Sequence, residues 1–172
     1  MFRRALLATA FAVALLSTAS AATVSYTAHL SGAKEVPKND SKGTGKLDAT
    51  YDTATKVLNY SLTFEGLTGP ATAAHFHGPA PRGQNAGVLA PIGDKNPSSP
   101  VTGTVTLSED QAKELHAGKV YVNVHTAANP GGEIRGQVTR VSGKKKTSAA
   151  MKSAPATTAP TGAATAPATK TQ

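Results

Sequence analysis

Between Thr23 and Val141 apolar and polar side chains alternate with a period of two, in one short segment after another. Successive side chains of a β-strand point to opposite faces. The alternation therefore fixes the element and also the face on which each residue lies. Tyr26, Ala28 and Leu30 alternate with Ser25, Thr27 and His29. Leu47, Ala49 and Tyr51 alternate with Lys46, Asp48 and Thr50, and Leu58, Tyr60, Leu62 and Phe64 with Asn59, Ser61 and Thr63. The same holds for Val101 to Leu107, for Val120 to His125 and for Ile134 to Thr139. A further strand over residues 73–77 brings the number to about seven. Strands with one apolar and one polar face belong to antiparallel sheets that cover a core on one side. The predicted fold is all-β: an antiparallel Greek-key sandwich or barrel of about seven to eight strands with one short helix. Phe76, Val122, Val124 and Ile134 are expected in its core.

The helix is announced by its ends. Ser108 is a capping residue, Gln111 stands where a capping box places Glu or Gln, and Glu109 and Asp110 suit the positive N-terminal end. Gly118 ends the helix, and His116 is expected as an exposed residue near its C-terminus. The stretch from Gly78 to Pro100 has no sustained period and holds five of the 11 prolines, although Val88 to Ile92 fits a brief strand. A loop of that length is uncommon unless it has a task.

Two segments fall outside the alternation. Arg3 and Arg4, the apolar run Ala5 to Leu16 and the small residues Ala19 and Ala21 have the order of a secretory signal, cleaved after Ala21. The apolar run is too short for the roughly 20 residues that span a bilayer. Residues 142–172 are dominated by Ala, Thr, Pro, Lys and Ser, a composition that cannot offset the entropy of ordering and reads as a disordered tail. The domain then occupies residues 22–141 of an exported protein, in the periplasm or the extracellular medium. Lys144, Lys145 and Lys146 offer weak contact with an anionic envelope surface.

The formal charge of +8 belongs to these flanks. Arg3, Arg4, Lys144, Lys145, Lys146, Lys152 and Lys170 lie outside the domain, which leaves 11 of the 18 basic residues against 10 acidic ones. A domain so nearly neutral lacks the basic stripe that nucleic acid requires, and no nucleic-acid partner is expected. The chain has no cysteine. Its stability must come from a packed core, from a bound ligand, or from both.

Three motifs carry chemistry. In Ala74-His75-Phe76-His77-Gly78-Pro79, the two histidines share one face of a strand and Phe76 points into the core. In Tyr121-Val122-Asn123-Val124-His125, the valines are core residues, so His125 projects from the outer face. In Asn129-Pro130-Gly131-Gly132-Glu133-Ile134-Arg135, the first four residues are strong turn formers that return the chain to a last strand. Arg135 falls on its polar face with Glu133 and Gln137. His75 and His77 are thus close enough to share a metal ion, and His125 is a third outward histidine that the spacing alone does not bring to them. Glu35, Asn123, Glu133 and Arg135 are the groups expected around them. No Gly-x-Ser-x-Gly elbow and no phosphate-cradling glycine loop points to other catalysis.

Together with Ser31-Gly32-Ala33-Lys34-Glu35-Val36-Pro37, these motifs resemble, in order, a CHRD domain, the family named for repeats in chordin and found in bacteria as a single exported domain. The resemblance covers residues 24–140 and implies little about biochemical role. A weaker similarity is to the copper/zinc superoxide dismutases. There a His-x-His strand, a later Val-x-Val-His strand and a glycine-rich turn leading to an arginine follow one another in the same order. That similarity implies His75, His77 and His125 as copper ligands on the outside of a Greek-key barrel and Arg135 as an anion guide. The zinc subsite and the disulfide have no counterpart, so one metal ion rather than two is implied. The leading expectation is an exported binding module, leaning away from catalysis, that holds one copper ion, with zinc as the alternative. The others are a copper-only, dismutase-like redox enzyme and a metal-free structural or adhesive envelope protein.

Overall fold

In the computed structural model, which describes residues 21–93 and 95–142, the alternating segments form one antiparallel sheet rolled into a nearly closed barrel. The predicted leader and tail lie outside the described residues, save for Ala21 and Ser142. The strands are β1 (Thr23–Ser31), β2 (Thr44–Asp52), β3 (Val57–Glu65), β4 (Ala71–His77), β5 (Val88–Pro91), β6 (Val101–Thr106), β7 (Tyr121–Thr126), β8 (Ile134–Gln137) and β9 (Thr139–Arg140). A turn of 3-10 helix, Gly32–Lys34, follows β1, and helix α1 (Glu109–His116) precedes β7. The sheet order is β5-β4-β7-β8-β1-β2-β3-β6, with β9 on β1. β1, β2 and β3 form a meander. The chain then crosses to β4 and β5, returns to pair β6 with β3, and crosses again to pair β7 with β4. These crossings make the Greek key. The two ends of the sheet approach where the chain leaving β5 reaches β3: Gly93 N–H donates to Tyr60 Oη at 3.2 Å.

The expected inward residues are inside. Tyr26, Ala28 and Leu30, Leu47, Ala49 and Tyr51, Leu58, Tyr60 and Leu62, and Val122, Val124 and Ile134 are all buried in one cluster. Phe76 sits among them, its ring edge-on to Tyr60 with centroids 5.4 Å apart. Such burial of large apolar side chains, at roughly 25 cal/mol per Å² removed from water, drives the closure.

Helix α1 begins with the expected capping box. Gln111 N–H donates to Ser108 Oγ at 3.2 Å, and Ser108 N–H to Gln111 Oε1 at 2.9 Å. Gly118, at φ 70°, takes the left-handed turn after the last residues of the helix. His116 is exposed as expected, but it has a partner. Its Nδ1 is hydrogen-bonded to Tyr26 Oη, and its ring stands edge-on to Tyr51. It ties the helix to the barrel wall, a role that periodicity could not reveal.

The two halves of the barrel differ on the outside. The outward residues of β2 and β3 are largely solvated, whereas every residue of β8 and all but His125 of β7 are buried. The covering is the Pro79–Gly87 loop together with the residues after β1. Tyr121 Oη donates to Ala86 O, Asn85 Nδ2 to Val36 O, and Gln137 Nε2 to Ala80 O. The long aperiodic stretch is therefore a cover over one face of the barrel, and β4, β7 and β8 lie between two buried layers.

Candidate metal centre

The three histidines come from two paired strands. On β4, His75 and His77 lie on the face opposite Phe76. On β7, His125 lies opposite Val124. The register sets His75 against Asn123 and Ala73 against His125, so His75 and His125 are diagonal neighbours. His75 Nδ1 is 3.0 Å from His125 Nε2, and one nitrogen from each of the three residues lies within 4.8 Å of the others. His75 and His125 are half-buried and His77 is buried. The sequence puts all three on an outward face; the structure keeps that face but closes the cover over His77.

Hydrogen bonds fix which nitrogens are free. His125 Nδ1 lies 2.9 Å from the Pro130 carbonyl, which can only accept, so Nδ1 carries the proton and the Nε2 lone pair faces His75. His77 Nδ1 likewise gives its proton to the Ala86 carbonyl at 3.0 Å. Its Nε2 lies 3.0 Å from Asn123 Oδ1. Burial lowers the pKa of both His75 and His125. The charges that His125 and His77 would carry depress His75 further, and His77 does the same to His125 against the opposing Pro130 hydrogen bond. Neutral imidazoles whose ring nitrogens converge are what a borderline transition metal requires. Two nitrogens on one tetrahedral ion, each about 2.0–2.1 Å from it, lie ~3.3 Å apart, close to the His75–His125 separation.

The surrounding groups divide into two sets. Asn123 joins His77 to Glu35, whose carboxylate is packed against Gly132. A side chain on that glycine, at φ 131°, would meet Glu35 Oε1 at 2.4 Å and Asn123 Nδ2 at 2.7 Å, so the turn must carry glycine there. Burial pushes the Glu35 carboxyl up to about 7, against the opposing pull of Arg135, the Val36 N–H and Asn123. Arg135 is 2% exposed. Its guanidinium lies 3.4 Å over the Tyr121 ring and donates to Asn85 Oδ1 at 2.9 Å and to Gln84 O at 2.6 Å. Tyr121 stands between it and His77, whose ring stacks in parallel on Tyr121 at 4.8 Å. This geometry has Arg135 holding the cover down, with its N–H groups directed at the loop.

Glu133 belongs elsewhere. It accepts from Ser41 Oγ at 2.6 Å, from Thr68 N–H and Oγ1 at 2.7 Å each, and from Thr126 Oγ1 at 2.5 Å. Burial alone would raise its pKa, but these hydrogen bonds outweigh it and bring the carboxyl down to about 2. Glu133 ties the β1–β2 and β3–β4 connections to the end of β7. Tyr121 and Gln137, which pattern reasoning left unused, are part of the layer under the cover. Their signal was present in the alternation, since both share the outward face with Asn123 and Arg135.

The family model of the CHRD domain matches residues 26–138. The chain belongs to the CHRD-domain family. The match runs from within β1 to the residue before β9, so the histidine cluster, its cover and the glycine-rich turn are all parts of one CHRD domain. No curated protein and no solved structure matches this CHRD protein.

Proposed function

We propose that this protein is an exported binding module whose CHRD domain holds one transition-metal ion through His75, His77 and His125, copper in preference to zinc. The observation that carries the reading is the convergence of three imidazole nitrogens within 4.8 Å on neighbouring strands. Nitrogen ligands bind copper more tightly than zinc, other things being equal. When bound, the ion would supply a Lewis-acidic and, as copper, a redox-active centre. His125 and His77 are oriented for it by the Pro130 and Ala86 carbonyls, and His77 would exchange its Nε2 contact with Asn123 for the ion. Three protein ligands leave a position for water or an external donor.

The dismutase-like alternative needs a cation offered to the incoming anion. The burial of Arg135 and its bonds to Gln84 and Asn85 favour the binding module over that reading. The leader-like segment supports export, where the absence of cysteine leaves the domain indifferent to redox conditions. Elemental analysis of untagged protein from its native compartment tests the proposal. The expected result is about one copper per chain. Protein that contains neither copper nor zinc, and takes up neither, is the metal-free envelope protein instead. Turnover of superoxide by the loaded protein would make it an enzyme.

A further inference from the structure

A second site lies under the same cover and shares none of the three histidines. Between the residues after β1 and the Pro79–Gly87 loop is a cavity of about 270 Å³, walled by Lys34, Lys38, Arg82 and Arg135 and by Glu35 and Gln137. The charge there is not that of the domain. Eleven basic residues are nearly balanced by ten acidic ones over the whole domain, yet four of the basic ones and one acid meet in this cavity. Arg135, at 2% exposed, and Glu35, at 6%, are lining residues that lie deep in the wall, where low dielectric strengthens their interactions.

The hydrogen-bonding capacity of the walls describes the occupant. Lys34 Nζ donates to His29 O at 2.5 Å and keeps two N–H groups, while Lys38 and Arg82 are exposed at the rim. Gln137 Nε2 gives both of its hydrogens away, to Ala80 O at 2.9 Å and Gly118 O at 2.8 Å, so the amide offers the cavity only its oxygen. Glu35 Oε1 is sealed against Gly132 and out of reach of the cavity, so Gln137 is the acceptor the walls present. The cavity thus combines cations, which want an anion, with the Gln137 acceptor, which wants a hydroxyl or N–H donor. A bare inorganic anion would answer the first group and leave the second unmet.

We propose that this cavity binds a small hydroxylated organic carboxylate of the sugar-acid class, its carboxylate facing Arg82 and the lysines and a hydroxyl donating to the Gln137 amide oxygen. With the Glu35 carboxyl pushed up to about 7, a partly protonated Glu35 repels such a ligand less than an ordinary carboxylate would.

Isothermal titration of the full, metal-free chain with D-glucuronate at neutral pH tests this. The proposal expects saturable one-to-one binding, with acetate and inorganic phosphate at least about tenfold weaker and glucose weaker still. The double variant Lys38→Glu/Arg82→Glu changes only exposed side chains and should weaken glucuronate at least about tenfold, whereas His75→Ala should leave it unchanged. Failure of the histidines to take up metal would not touch this result. The proposal is overturned if glucuronate does not bind at millimolar concentration, if acetate, phosphate or glucose binds as well, or if the double variant binds as tightly as the wild type.

Discussion

His75 Nδ1 lies 3.0 Å from His125 Nε2, across the pairing of β4 with β7. Strand geometry alone would set these diagonal neighbours ~7–8 Å apart at the backbone, and the two rings close that gap by turning toward one another. The contact depends on the pairing of the two strands, and so on the core residues between and beneath them.

Phe76, between the two β4 histidines in sequence, is the first such residue. It is 1% exposed and packs edge-on against Tyr60. Phe76→Ala should cost about 3–5 kcal/mol in denaturant unfolding, as truncation of a core aromatic does. A loss under roughly 0.5 kcal/mol would mean that this strand presents its other face to the core.

Glu133 should govern stability in acid. Its folded pKa, about 2, is below the ordinary carboxylate value, so its contribution is fully present above about pH 4.5 and is lost as the pH falls toward 2. Glu133→Gln should therefore be less stable than wild type by a few kcal/mol near neutrality, on the order of what a buried charged hydrogen-bond network contributes. The gap should close toward about pH 2. A gap that is constant with pH would show that the carboxylate is not the feature that matters.

Glu35 should behave in the opposite sense. Its folded pKa is raised to about 7, so the folded state binds the proton more tightly than the unfolded chain. The associated stability is present below about pH 4.5 and is lost as the pH rises through 7. Glu35→Gln removes the ionisation, and it should gain on wild type between about pH 5 and pH 8 by 1–3 kcal/mol. Equal pH dependence of the two proteins would contradict the burial of this carboxyl.

His116 should contribute through its ties to Tyr26 and Tyr51. His116→Ala leaves the buried Tyr26 hydroxyl without its partner, and melting should register a loss of about 1–2 kcal/mol. An unchanged melting temperature would reduce His116 to the solvated residue that its place near the helix end suggests.

These residues also show what the sequence makes legible. Period-two alternation located the strands, the inward residues and the face of each histidine, because one buried and one open face is a local property that each strand records. The capping box of α1 was legible for the same reason. The burial of His77, Asn123, Arg135 and Gln137 was not. Outward residues read as solvated, and the segment that covers them has no period from which its path could be followed. Glu133 was misplaced beside the histidines because the turn at Gly132 lets it reach Ser41, Thr68 and Thr126 instead. The proximity of Glu35 to Asn123 is likewise a product of the turn, which brings residues distant in sequence against one another.

The central claim is that His75, His77 and His125 act as one ligand set, and calorimetric copper titration of untagged protein at neutral pH tests it most directly. Wild type should bind one copper ion, and His77→Ala and His125→Ala should each weaken that binding by about tenfold to a hundredfold or more, since loss of even a supporting group commonly costs that much. Absence of stoichiometric binding of copper or zinc by wild type, or equal affinity in the single variants, would contradict the account.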